Sequence, residues 1–322
     1  MIKKILAAAV YALSAALIAN VAQAETLKLR IATQPSPFAS ALFLSKEKGI
    51  LEKTLKTKGL DVDIKWTSFP AGPPMNEAFA AGEEDLGLVG DVPALLNKSS
   101  GQKTIIFGKT SSGPETLALV VKPDSPLKTA ADLKGKKVAF VKGSYGHHLL
   151  GLILTQGGLT FDDIKIVNLP NADVNAAVAD NQVDAGLVWE PALINGLERG
   201  QVKVLIDGTG IKNNNIYYFI LEDYAKAHPQ VTAAFLEAQR EATQFIADHP
   251  EEAAKAIVND VKLPEPQLIK LFKKYNYSPE LTDQDVAELK IVEEFNFKAG
   301  LSKTRVDVDN YVRRQTGGEA KP

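Results

Sequence analysis

Twice along this chain, short apolar runs with the two-residue period of β-strands alternate with stretches of helical period; after the second series, helices take over. Residues 27–32 alternate, 41–55 read as a helix through Leu42, Leu44, Ile50, Leu51 and Leu55, and 62–66 alternate again. A short helix over 75–81 is opened by Gly72-Pro73-Pro74, because proline suits a first helical turn. Residues 86–89 read as a buried strand, Asp91-Val92-Pro93 opens the next helix, and 104–107 closes the series. The second series comprises 116–121, 137–141, a helix over 147–155, 164–169, a helix over 173–181 with Asp173 as N-cap, 185–189 and 202–206. Residues 216–221 form a last strand, and helices without further strands follow. Val231, Phe235, Ala238, Ala242 and Phe245 make one core stripe, and Pro250 starts another helix. Thr282-Asp283-Gln284-Asp285 is a capping box, and Gly300 occupies a C′ position.

Alternation of this kind dictates an α/β protein with parallel sheets covered by helices. The late helices lack a sheet of their own, so the second series is expected to be inserted into the first unit. Lobe 1 then takes 25–112 and 216–314, lobe 2 takes 113–215, and 315–322 is a polar, disordered tail. The alternative is two consecutive independent domains. In the inserted arrangement the chain crosses between lobes near Ser112-Gly113-Pro114 and Asn213-Asn214-Asn215, both rich in turn formers.

Lys3 and Lys4 precede an uncharged Ala- and Leu-rich run that ends in Ala22-Gln23-Ala24. A basic start, an apolar middle and an A-x-A end read as a secretory signal peptide, residues 1–24, cleaved after Ala24. A membrane anchor is the competing reading, since about 18 apolar residues just span a bilayer. The expected location is the periplasm. The 322-residue chain is 45% hydrophobic and 24% charged, which excludes a disordered chain and a polytopic membrane protein. A net charge of −2 gives no electrostatic reason to expect nucleic acid. With no cysteine there is no disulfide, Cys-ligated metal, iron–sulfur cluster or thiol nucleophile.

Several short motifs stand in a characteristic order: Gly72-Pro73-Pro74-Met75, Gly90-Asp91-Val92-Pro93, Lys142-Gly143-Ser144, Gly157-Gly158-Leu159-Thr160 and Asp184-Ala185-Gly186-Leu187-Val188-Trp189-Glu190-Pro191. Together they resemble the periplasmic substrate-binding proteins of ABC importers for aliphatic sulfonates, taurine and nitrate. The resemblance covers nearly all of the chain beyond residue 24. It implies a type II periplasmic-binding-protein fold, with two α/β lobes, a two-strand hinge and the ligand in the cleft between them. It further implies delivery of a small organic anion to a membrane permease, with no cofactor and no need for a second subunit. One departure is Tyr145, where the family pattern often has a small residue after the glycine-serine pair.

In open α/β sheets ligands bind beyond the C-terminal ends of the strands, and helix N-termini there favour anions. Gly72-Pro73, Gly90-Asp91 and Gly143 to His147 are three such turns. Pro73, Pro74 and Pro93 have no N–H to give, so the loop Gly143-Ser144-Tyr145-Gly146-His147, with every amide free, a hydroxyl and a phenol, is the expected anion seat. Gln34 is either a second hydrogen-bonder or a loop amide facing water. Asp91, awkward beside an anion, either N-caps its helix or pairs with a ligand ammonium. Trp189 is either an apolar wall or core, and Glu190-Pro191 ends its strand. Asn213, Asn214 and Asn215 either reach the ligand from the hinge or only make a turn. None of the six arginines falls at these turns, so no arginine clamp is expected.

A secreted hydrolase is the opposing class. Ser144 fails the G-x-S-x-G pattern, because Lys142 stands where glycine is required. There is no H-E-x-x-H or Walker loop, and His147 and His148 diverge by about 100° on a helix, too far to share one metal readily. A binder of a vitamin or pyrimidine precursor on the same fold is the nearer alternative, with Phe38, Tyr145 and Trp189 available to stack on a flat ring.

Overall fold

The computed structural model describes residues 26–314; the expected signal peptide (1–24) and tail (315–322) lie outside the described residues. The first series gives β1 (Leu27–Thr33), α1 (Ser40–Glu47), α2 (Ile50–Thr57), β2 (Val62–Ser68), α3 (Gly72–Ala80), β3 (Leu86–Gly90), α4 (Asp91–Ser99) and β4 (Thr104–Ser112). The helix expected over 41–55 is two helices, because Gly49 adopts a left-handed φ of 63° that ends one and re-aims the next. The second series gives β5 (Leu117–Val121), β6 (Lys137–Phe140), α5 (Tyr145–Gln156), β7 (Lys165–Asn168), α6 (Asn171–Ala179), β8 (Ala185–Trp189), α7 (Ala192–Glu198) and β9 (Lys203–Asp207). Asp173 is not the N-cap of α6: Pro170 is, and Asp173 stands in the first turn, where a carboxylate still complements the positive helix end.

The last part gives β10 (Ile216–Leu221), α8 (Glu222–Ala227), α9 (Pro229–Asp248), α10 (Pro250–Val261), α11 (Glu265–Phe272), β11 (Asn276–Tyr277), α12 (Asp283–Lys298) and α13 (Val308–Tyr311). The sequence-based expectation of helices alone after β10 misses β11, a two-residue strand too short to carry a period; it pairs with the end of β4. Thr282 caps α12 in the expected box, its side chain accepting from the Asp285 amide at 3.2 Å.

Two sheets result, with strand orders β11-β4-β10-β3-β1-β2 and β7-β6-β8-β5-β9. Strands β1, β2 and β3 run parallel, as do β6, β7 and β8, so each group ends on one side of its sheet. Strand β10 returns antiparallel between β3 and β4, and β5 antiparallel between β8 and β9. Covered on both faces, β3 and β5 are buried along their whole length and carry no polar side chain. The two connections between the sheets are bonded to each other: the Gly113 amide donates to the Asn213 carbonyl at 2.9 Å, and the Asn214 side-chain amide donates to the Gly113 and Pro114 carbonyls. Asn214 holds a left-handed φ of 54° to make this turn. Among the described residues no helix is long and apolar enough to cross a membrane.

Candidate functional site

The strand ends of the two sheets face each other across a closed seam. Ser36, after β1, donates its hydroxyl to the Glu190 carbonyl, after β8, at 2.9 Å. Gly90 at the end of β3 lies against Tyr145 at the start of α5: a Cβ on Gly90 would stand 2.5 Å from the Tyr145 Cβ. Gly143, with φ 73°, lies beside Leu96 and Pro73. The Tyr145 ring is 5.4 Å from that of Trp189, and burial, ahead of the nearby Tyr275 and Glu190, pushes its phenol well above the ordinary value. Gly90→Ala therefore forces Tyr145 to move and costs about 1–3 kcal/mol by urea denaturation, as overpacking does. In a Tyr145→Gly background, which removes the Cβ that Ala would meet, most of that cost disappears; an equal cost in both backgrounds separates the two residues energetically.

Tyr145 and its neighbours stand between two cavities. One, of about 370 Å³, opens between the lobes and is lined by Gln34, Ser36 and Pro70 from one side and by Asn171, Trp189 and Pro191 from the other. Asn171, the first residue of α6, holds the end of β8 by accepting from the Trp189 amide at 3.1 Å and donating to its carbonyl at 3.2 Å. Gln34 donates to the Leu88 carbonyl at 2.9 Å, which orients its side chain at the cavity wall. Two cations reach the same cavity, Arg199 beyond α7 and Lys262 beyond α10. Neither pairs with a carboxylate among the described residues, and no Asp or Glu lines the cavity.

The other cavity, of about 440 Å³, is bounded by Asp91, His148, Lys212 and Glu288, with Leu152 and Ile291 as apolar walls. Asp91 accepts from its neighbour's Val92 amide at 2.7 Å and forms an ion pair with Lys212, both side chains being buried. The ammonium beside Asp91 is thus the protein's own, and the N-cap of α4 is Gly90, so neither expectation for Asp91 describes it. Lys212 also donates to His148 Nδ1 at 3.3 Å, which leaves the histidine's proton on Nε2. Burial above all, then Lys212, lowers the His148 pKa to about 2.

The structure brings Gln34 and Trp189 to one cavity and Pro73, Gly90, Asp91, Gly143 and Tyr145 to the seam, packs Gly72 against Pro93 and Val89 of its own lobe, and directs the remaining expected residues elsewhere. The Ser144 hydroxyl donates to the Val141 carbonyl at 2.8 Å. His147 sits among Phe140, Phe161 and Phe295 and accepts from the Gly143 amide, its pKa lowered to about 4 chiefly by burial. The 143–147 amides are not all free: Gly143 donates to His147, Ser144 to Val141 and His147 to Ser144. The chain's own acceptors thus take three donors of the expected anion seat, leaving those of Tyr145 and Gly146. Glu190 is fully buried, one carboxylate oxygen accepting from the Ile194 amide and the other unpartnered; burial raises its pKa to about 7. Asn215 and Asn213 donate to Glu288 at 2.6 and 2.5 Å. Arg199 and Lys262 were not legible as site residues, since each follows a helix C-terminus rather than a strand.

Residues 39–253 match the NMT1/THI5 like family, which is two thirds of the chain. The chain belongs to this family. A relative from Escherichia coli (strain K12), described as an aliphatic sulfonates-binding protein, is 35% identical over 254 residues, 79% of this chain and 78% of its own length. The crystal structure of the periplasmic aliphatic sulphonate binding protein SsuA from Escherichia coli superposes with a TM-score of 0.80 at 30% identity, covering 92% of this chain and 94% of that one. The alkanesulfonate-binding protein SsuA from Xanthomonas axonopodis pv. citri, bound to MOPS, gives 0.80 at 29%, covering 91% and 100%. This NMT1/THI5-like chain has the periplasmic-binding-protein fold expected from its sequence, two α/β lobes with a cleft between them.

Proposed function

We propose that the protein is a periplasmic solute-binding component of an ABC importer that captures a small organic anion, an aliphatic sulfonate or a relative of it, in the 370 Å³ interlobe cavity. The observation that carries this reading is that two cations without a carboxylate partner among the described residues, Arg199 and Lys262, both exposed, stand at the rim of a carboxylate-free lining with the Trp189 wall. In a partly desolvated cleft such a lining attracts an anion with an apolar body and resists a cation. The SsuA relatives support the choice of sulfonate. The binding lobes are 25–112 with 216–314 and 113–215; residues 1–24 direct export, and a monomer suffices. Closure about the paired crossings presents a surface of both lobes to a membrane permease. Nothing in this mechanism transforms the ligand.

A thermal-shift panel tests the reading. A cognate sulfonate at a hundred times its Kd adds about 2.7 kcal/mol of stability. Arg199→Met combined with Lys262→Met weakens that ligand about tenfold, the loss of one charge-assisted bond or more. An unchanged Kd in the double variant moves the anion out of this cavity. Trp189 favours one second reading, a flat pyrimidine precursor stacked on its ring. A shift with pyrimidines and none with sulfonates or nitrate selects it, and turnover of any panel compound revives an enzyme.

A further inference from the structure

We infer that the cleft selects a bulky organic anion, ring-bearing or long-chained and without an ammonium group, over two-carbon sulfonates and aminosulfonates; this rests on the sulfonate reading above. The size preference comes from Tyr145. Its ring occupies the middle of the seam, against Gly90 of the opposite lobe and 5.4 Å from Trp189, yet lines neither cavity. A small sulfonate is thereby denied a tight central seat and must use the 370 Å³ cavity beside it. That volume is of the size that encloses a drug-like molecule, and its walls are Pro35, Pro70, Pro170, Trp189, Pro191 and Val261. Those rigid apolar faces reward a ring or a long alkyl chain, while Arg199 and Lys262 take the anionic head.

The charge preference comes from what the cavity lacks. A ligand ammonium needs a carboxylate, and none lines this space. Asp91 is at the seam, next to Gly90, but its carboxylate is already paired with the buried Lys212 ammonium and faces the other cavity. Glu190, next to Trp189, is turned toward the α7 N-terminus, where it accepts from the Ile194 amide. A zwitterion would bring its positive group toward two cations with no counter-charge.

Calorimetry on the exported wild-type chain with ethanesulfonate, taurine, hexanesulfonate and benzenesulfonate tests this directly. Hexanesulfonate and benzenesulfonate are expected to bind tighter than ethanesulfonate by about tenfold or more, and taurine weaker than ethanesulfonate by about tenfold. Tyr145→Ala is expected to narrow the first gap by strengthening ethanesulfonate. Equal affinities across the wild-type panel, or taurine as the tightest, overturn the inference while leaving a sulfonate-binding protein. Binding of no sulfonate at all instead removes the functional reading beneath it. The wild-type ranking decides the question even if the Tyr145 variant does not fold.

Discussion

Between pH 6.5 and 4 the folded chain loses several kcal/mol of stability, and His148 is the largest single source. The residue is 3% exposed, its ring centre lies 4.7 Å from that of Phe295 and its Nδ1 accepts from the Lys212 ammonium, so a proton on it would be both desolvated and repelled. Its folded pKa of about 2 lies far below the ordinary 6.5. The unfolded chain therefore binds a proton that the folded chain refuses; the stabilisation is complete above pH 6.5 and drains away as pH falls. At about 1.4 kcal/mol per pH unit, His148 alone accounts for about 3 kcal/mol down to pH 4. His147, with a folded pKa of about 4, adds to the same limb. Glu190 opposes it: its pKa is raised to about 7, so the folded state holds that proton more tightly and stability falls as pH rises from 4.5 to 7. One carboxyl thus offsets one of two histidines, and the net slope remains toward acid denaturation. Urea denaturation as a function of pH checks this. His148→Gln, whatever its cost at neutral pH, should remove about one proton from the acid slope. A profile parallel to the wild type shows that His148 titrates freely in the fold.

What the sequence made legible follows from the range of the interactions. The Thr282 cap, the β10 run and the helix after Pro250 depend on neighbours within a few residues, and the pattern of those neighbours is written locally. Gly49 shows the same physics misread: the apolar spacing through Leu55 continues while a left-handed glycine turns the helix. At the strand ends the sequence pointed to a region, because fold topology places ligand crevices there, but of the site residues it singled out only Gln34 and Trp189 line the interlobe cavity. It could not tell that Gly143 and Ser144 spend their amides on His147 and Val141, since free donors in a string of residues carry no sign of which acceptor folds back. Nor could it bring Arg199 and Lys262 together, 63 positions apart in number and on different lobes. The ion pair between Asp91 and Lys212 belongs to the same class of long-range fact.

That ion pair gives a second large effect. Asp91 and Lys212 are 5% and 6% exposed as side chains and come from opposite lobes. Lys212→Met leaves Asp91 buried with one remaining bond, from the Val92 amide, and should cost about 3–5 kcal/mol, the range for stranding one member of a buried pair. Adding Asp91→Asn removes the stranded charge, so the double variant should recover most of that loss, and the difference measures the coupling. A loss below about 1 kcal/mol for the single variant would place the pair with solvent-screened surface bridges. Because the pair spans the seam, the single variant should also open the lobes, read as a larger radius of gyration by small-angle scattering. An uncompensated carboxylate at the end of β3 pushes toward water, and lobe separation is the motion that hydrates it. The same ammonium thus pairs the buried Asp91 carboxylate across the two lobes and holds the His148 tautomer, which is why its loss is expected to act on stability and lobe separation together.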